Sequence, residues 1–212
     1  MAHLVLLGDS IFDNAPYVAS GQSLICYLTR KLPPDSQATL LAIDGSVTTD
    51  VPAQLRKLPP DATHLFLSVG GNDALQHIDY LQQRAQSVAE VVSGFAQRIQ
   101  SFQRNYVSII QALCNQQIPT VVCTIYEPSF EQRDYQTIAS TAIKLWNDVI
   151  IQTAIAHTLP LLELRQVFTD PADYANPIEP SAIGSDKLSN VILNLIHNHD
   201  FSQRQTIVYG NP

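Results

Sequence analysis

The sequence predicts an α/β fold, a single flavodoxin-like domain in which a five-stranded parallel sheet lies between two layers of helices. Two observations carry this. Short, continuous apolar runs recur along the 212-residue chain and alternate with longer stretches of helical period, as strand–helix–strand units do. No Pro/Gly-rich linker or internal repeat divides the chain, and 45% hydrophobic content suffices for one sizeable core. Residues 1–197 are expected to form the domain and residues 198–212 a polar tail.

The first apolar run, Leu4-Val5-Leu6-Leu7, is branched-rich and reads as a strand buried on both faces. It ends in Gly8-Asp9-Ser10. A polar loop to Gly21 precedes a helix over about 20–32, stopped by Pro33-Pro34. Leu40-Leu41-Ala42-Ile43 is the second strand and Asp44-Gly45-Ser46 closes it. A short amphipathic helix over 48–58 stops at Pro59-Pro60. His64 to Val69 is the third strand, running into Gly70-Gly71-Asn72-Asp73. A long helical region over 80–117 carries Tyr106, Ile109, Ile110 and Leu113 on one stripe. The fourth strand spans 120–125, a helix spans 138–156, the fifth strand spans 159–164 and a last helix spans 186–196.

Twelve basic against nineteen acidic residues leave a net charge of −7, and no Lys/Arg cluster forms a nucleic-acid footprint. No apolar run has membrane length, and nothing before the first strand reads as a leader, so the expected location is the cytoplasm. Cys26, Cys114 and Cys123 are odd in number and irregular in spacing, which fits buried reduced thiols rather than disulfides or a metal site. Phosphate-binding glycine loops and His-Glu-x-x-His are absent, so neither a cofactor nor a metal is expected. Oligomeric state and the identity of the substrate are not encoded in any such pattern.

Three of the predicted strands end alike, and in a parallel sheet those ends share one rim. One supplies a hydroxyl (Ser10), one an unobstructed glycine N–H (Gly45) and one an amide side chain (Asn72). Acyl transfer from a serine needs this set: a nucleophile, and preorganised donors for the oxyanion. Any one of the three, taken singly, is also an ordinary strand-to-helix turn.

Gly8-Asp9-Ser10, Gly45 and Gly70-Gly71-Asn72-Asp73 together resemble the first three signature blocks of the SGNH (GDSL-type) hydrolases. The resemblance implies a metal-free hydrolase acting on a small-molecule ester, thioester or acyl group. It implies Ser10 as nucleophile and an oxyanion hole made of the Ser10 and Gly45 N–H groups and the Asn72 side chain. The fourth block of that family is Asp-x-x-His followed by Pro. Here the stretch is Asn176-Pro177-Ile178-Glu179-Pro180. Glu179 thus stands where the resemblance puts the histidine, and Asn176 where it puts the aspartate.

Three readings stay open for Ser10. Glu179 serves as the base, with burial raising its proton affinity and Asn176 donating a hydrogen bond to it. Or His77, on the loop leaving the third strand, supplies the missing imidazole. Or the chain is a catalytically impaired binding or regulatory module for an acyl or carbohydrate ligand. Asp9 and Asp73 are expected to hold loop backbone, Trp146 to pack, and Tyr126 and Phe130 to pack or line the pocket. His197, His199 and Asp200 are expected to be solvated.

Overall fold

The computed structural model describes residues 2–210. Its main sheet has six strands, all parallel: β1 (His3–Gly8), β2 (Gln37–Leu40), β3 (His64–Ser68), β4 (Thr120–Cys123), β5 (Leu161–Leu162) and a strand at Val208–Tyr209. Their spatial order begins β2-β1-β3-β4-β5 and ends with Val208–Tyr209. Two short antiparallel strands, β6 (Tyr174–Asn176) and β7 (Glu179–Pro180), form a separate hairpin, so Val208–Tyr209 is β8. β1 has β2 on one side and β3 on the other. Connections leave that point in opposite directions, which opens a crevice at the strand carboxyl ends.

Side chains alternate across the sheet and build two cores. Val5, Leu7, Leu65, Leu67, Val122 and Leu161 face α2 (Val51–Leu55), α4 (Val88–Cys114) and α5 (Arg133–Ala156). Leu4, Leu6, Phe66, Val121 and Leu162 face α1 (Leu24–Lys31), α6 (Leu164–Val167) and α7 (Ala182–Asn198). This is the three-layer sandwich predicted by strand–helix alternation. A short helix, α3 (Gly71–Leu75), starts directly after β3. Among the described residues, no helix is long and apolar enough to cross a membrane.

The differences from the sequence-based expectation have local causes. β2 ends at Leu40 because the Leu41 and Ala42 N–H groups both donate to Leu6 O, each at 2.9 Å, which breaks the ladder. The expected long helix over 80–117 is a 3-10 turn (Ile78–Gln82) followed by α4, which is capped by the Ser87 side chain accepting from Glu90 N–H. The last helix starts at Ala182 because Ser181 accepts from the Ile183 and Gly184 N–H groups. The sixth strand was hidden in the tail. Leu161 N–H donates to Ile207 O and Glu163 N–H to Tyr209 O. His199, only 7% exposed, pairs with Tyr209 OH at 2.8 Å and packs edge-on against Phe201. The tail therefore docks through aromatic contacts rather than remaining solvated. All three cysteines are free, but only Cys123 is fully buried and Cys114 is exposed.

Two buried amides finish the strand ends at the rim. The Gln54 side chain accepts from Gly8 N–H at 2.7 Å and donates to Gly8 O at 2.8 Å. The Asn147 side chain does the same to Ile125, at 2.7 Å in both directions. Each acts as a one-residue strand, satisfying a backbone donor and acceptor that the sheet leaves over. Gln54→Leu leaves the Gly8 N–H buried and unpaired, although the Ile43 N–H still holds Gly8 O at 3.1 Å, and Asn147→Leu leaves both Ile125 groups unpaired. Each should lower stability by about 2 kcal/mol or more, measured by urea denaturation.

Candidate active site

The site begins with a steric constraint at the centre of the sheet. A Cβ on Gly8 would lie 1.7 Å from Ser68 O, and Gly8 has φ +123°. Only glycine lets β1 and β3 close here, and Asp9 N–H then donates to Ser68 O at 3.1 Å. The chain turns sharply, with Phe12 and Asp13 N–H donating back to Asp9 O. Ser10 is left at the crevice, 7% exposed and lining the cavity described below.

The residues predicted to make an oxyanion hole gather around it. Gly45 has φ +78° and nothing within 4 Å of an added Cβ, so its constraint is conformational rather than steric. Among the described residues, the Ser10 and Gly45 N–H groups have no protein acceptor. Asn72, in the first turn of α3, donates one Nδ2 proton to Ser46 O at 3.0 Å, which leaves its second N–H available. Asp73 anchors the same loop from the other side. Its carboxylate accepts from Thr48 N–H at 3.0 Å and from Thr48 Oγ1 at 2.6 Å. The loop from Asp44 to Thr48 is thus bound to α3 by side chains.

Glu179 meets Ser10 at the crevice. It is 6% exposed, and the nearby Ser10 hydroxyl favours its ionised form. Burial outweighs that influence, and with the nearby Asp44 charge it raises the Glu179 pKa to about 7. Its Oε2 is buried without a protein partner. Asp9 is raised further, to about 8, first by burial and then by the charges of Glu179 and Asp73; the Ile11 N–H, 3.3 Å from Oδ1, offsets this in part.

The hairpin carrying Glu179 is held on both flanks. Tyr126 OH donates to Ile178 O on one side. Asn14, fully buried, donates to Pro180 O at 3.2 Å and to Ser185 Oγ at 2.6 Å on the other, while accepting from Leu24 N–H. Asp173 secures the base of the hairpin. It is fully buried, accepts from the Thr169 and Asp170 N–H groups, and is paired with Lys187 of α7 at 2.6 Å.

The predicted role of Asn176 is not what the structure shows. Its Oδ1 accepts from Ile178 N–H at 3.0 Å, closing the two-residue hairpin turn, and its side chain is exposed. Glu179 is oriented by its neighbours' backbone instead. His77 does line the cavity, but on the far wall: its ring packs 6.2 Å from Trp146, and burial together with Arg98 lowers its pKa. Among the described residues, the His77 ring has no hydrogen bond to Ser10 or Glu179. Gln54, Asn14 and Asp173 were missed in the sequence, because nothing in the pattern separates a buried polar residue from a solvated one.

A cavity opens from Ser10 and Glu179 between α3, α4 and α5. It encloses about 970 Å³ of empty space, counting its mouth, and its walls are almost wholly apolar. Leu75, Phe95, Ile125, Phe130, Ile143 and Trp146 form most of the surface, with Tyr126 beside the serine. Trp146 therefore both packs and lines the pocket, and no lysine or arginine does either in this lining.

A buried serine on a strand end, with free backbone donors, an amide and a buried carboxylate beside an apolar cavity, defines an acyl-transfer type of site. The model of the GDSL-like lipase/acylhydrolase family matches residues 6–187, and the chain belongs to that family of acyl-hydrolysing enzymes. No curated protein sequence matches the chain. Among solved structures, an acetyl xylan esterase, AlAXEase, superposes with a TM-score of 0.72 at 16% identity, covering 92% of this chain and 99% of that one. An extracellular lipase from Streptomyces rimosus gives 0.69 at 18% identity, covering 92% and 99%. Phospholipase A1 from Streptomyces albidoflavus NA297 gives 0.69 at 19% identity, covering 91% and 98%. At these identities the structural likeness speaks for the fold.

The raised Asp9 carboxyl makes a stability prediction. An acid whose pKa is higher in the folded state favours folding below its unfolded pKa and loses that contribution as pH rises through the folded value. Asp9, with an ordinary value of 3.8 and a folded value of about 8, should therefore destabilise the protein progressively across that window. Asp9→Asn should be little different from wild type at the acid end. At the alkaline end it should melt higher by roughly 2–4 °C per kcal/mol regained. Paired melting curves at several pH values check this.

Proposed function

We propose that the chain is a serine acyl hydrolase that cleaves carboxylic esters through a Ser10 acyl-enzyme, with Glu179 as the general base. The observation that carries this reading is the buried Glu179 carboxylate, with a pKa near neutrality, on the same cavity lining as Ser10. A base poised there is ionised often enough to take the serine proton and still returns it readily.

The steps follow from the geometry. Glu179 accepts the Ser10 proton as Oγ attacks the ester carbonyl, and the carbonyl oxygen takes the negative charge. The Ser10 and Gly45 N–H groups and the remaining Asn72 N–H receive that oxygen. Protonated Glu179 then gives its proton to the departing alcohol. Water enters by the same path, with Glu179 again as base, and releases the acid. The apolar cavity receives the acyl chain, and its apolar lining favours chains longer than acetyl. The alternative, a binding module with an idle serine, is disfavoured because a buried carboxylate with a pKa near neutrality shares the cavity lining with Ser10.

Three measurements test this. Ser10→Ala should abolish hydrolysis of aryl esters and stoichiometric labelling by a fluorophosphonate. Glu179→Gln, which keeps shape and removes the basic oxygen, should lower kcat by about 10²- to 10⁴-fold. Full activity in Glu179→Gln together with none in Ser10→Ala would sink the assignment of the base. Failure of Ser10 to label at high reagent excess would favour the binding module. In the wild type, kcat/KM should rise with pH through about 7, since only ionised Glu179 accepts the proton. His77→Ala should leave that rise in place.

A further inference from the structure

Apart from the segment after β5, where Arg165 pairs with Glu163, the segments at the carboxyl ends of the strands and the β6–β7 hairpin have a one-sided charge. Residues 9–21, 41–50, 69–83, 124–132 and 173–181 contain ten of the nineteen acids and none of the twelve lysines and arginines. Asp173 is neutralised by Lys187, but the acids nearest Ser10 have no such partner. Asp44 carries a hydrogen bond from Tyr17 OH at 2.7 Å, and its own N–H donates to Asp13 at 3.0 Å. These three residues sit at the loop that carries Gly45 and do not line the apolar cavity. Glu179 closes the group. It is 94% buried, lines the crevice, and has one carboxylate oxygen with no partner in the protein.

An acidic rim of this kind raises the local concentration of cations and repels anions, more strongly where a low-dielectric wall focuses the field. The surroundings of Ser10 therefore differ in chemistry: an apolar cavity and an anionic ledge.

We propose that the site selects esters whose alcohol portion is cationic, an ammonium-bearing alcohol seated over Asp13, Asp44 and Glu179, and discriminates against leaving groups that carry phosphate or carboxylate. The acyl chain fills the cavity, and the carbonyl lies between Ser10 and Asn72. The alcohol then has only the ledge to lie on. The proposal rests on the acyl-cavity reading above, but charge selection is a property of binding and can be read without turnover.

The test uses the full chain carrying Ser10→Ala, so that esters bind without being cleaved. Hexanoylcholine is compared by calorimetry with the uncharged dimethylbutyl ester of the same acid, in which carbon replaces the ammonium nitrogen. The cationic ester should bind about fivefold tighter or more at low salt. High salt should close the gap by screening, and that comparison needs no further variant. Adding Asp44→Asn should remove most of the preference. Equal affinities at low salt, binding of neither ester, or a preference indifferent to both salt and Asp44→Asn would each overturn the proposal. Turnover of the two esters by the wild type then separates the readings. Preference without hydrolysis refutes the hydrolase and keeps the charge selection, whereas hydrolysis without preference does the reverse.

Discussion

The close approach of β1 and β3 at Gly8 is the constraint on which the site depends. With no side chain at Gly8, Ser68 O occupies the space a Cβ would need, and Gln54 pairs with the Gly8 backbone from the opposite side. The strand end is thereby fixed from two directions. The turn that follows has little freedom, so Ser10 emerges at one defined point, beside the free N–H groups that its own turn and Gly45 supply. Electrostatic stabilisation of an oxyanion is effective only when donors are oriented before the charge appears. Here the orientation comes from packing at the middle of the sheet, not from the loops themselves.

The same logic governs Glu179, at a greater energetic cost. A carboxylate at 6% exposure with one oxygen unpaired is poorly solvated, and the Ser10 hydroxyl only partly replaces water. Raised proton affinities at Asp9 and Glu179 express that cost directly. The hairpin tolerates it because its backbone is held at Ile178 by Tyr126, at Pro180 by Asn14 and at its base by the Asp173–Lys187 pair. A buried carboxylate held at such electrostatic cost by well-satisfied neighbours is the kind of group that marks a candidate functional position.

Much of this could be read in the sequence, and the reasons are specific. The buried strands announce themselves because both faces are covered, so Leu4 to Leu7 and His64 to Val69 are continuous apolar runs. Ser10, Gly45 and Asn72 could be located because each closes such a run. The sixth strand was not legible, since Val208–Tyr209 is two residues long and is held by aromatic contacts from His199 and Phe201 that follow no period. Asn176 was misread for a related reason. Spacing says that it lies near Glu179, but whether an amide faces a side chain or closes a turn depends on hairpin geometry, and here the Ile178 N–H takes it. Gln54, Asn14 and Asp173 were invisible because buried polar residues have meaning only through partners distant in sequence.

A glutamate base also changes the charge balance of the reaction proposed here. An imidazole base becomes a cation as the oxyanion forms, and the two charges help each other. Glu179 starts as an anion and becomes neutral on taking the Ser10 proton, so its negative charge moves onto the substrate without acquiring a counter-ion. The surrounding acids oppose the new oxyanion, and the backbone and Asn72 donors must carry more of the stabilisation. A cationic alcohol group would offset that deficit at the place where it arises, close to Asp44 and the developing charge. The missing histidine and the acidic ledge are then two halves of one arrangement, in which the positive charge absent from the protein arrives with the substrate.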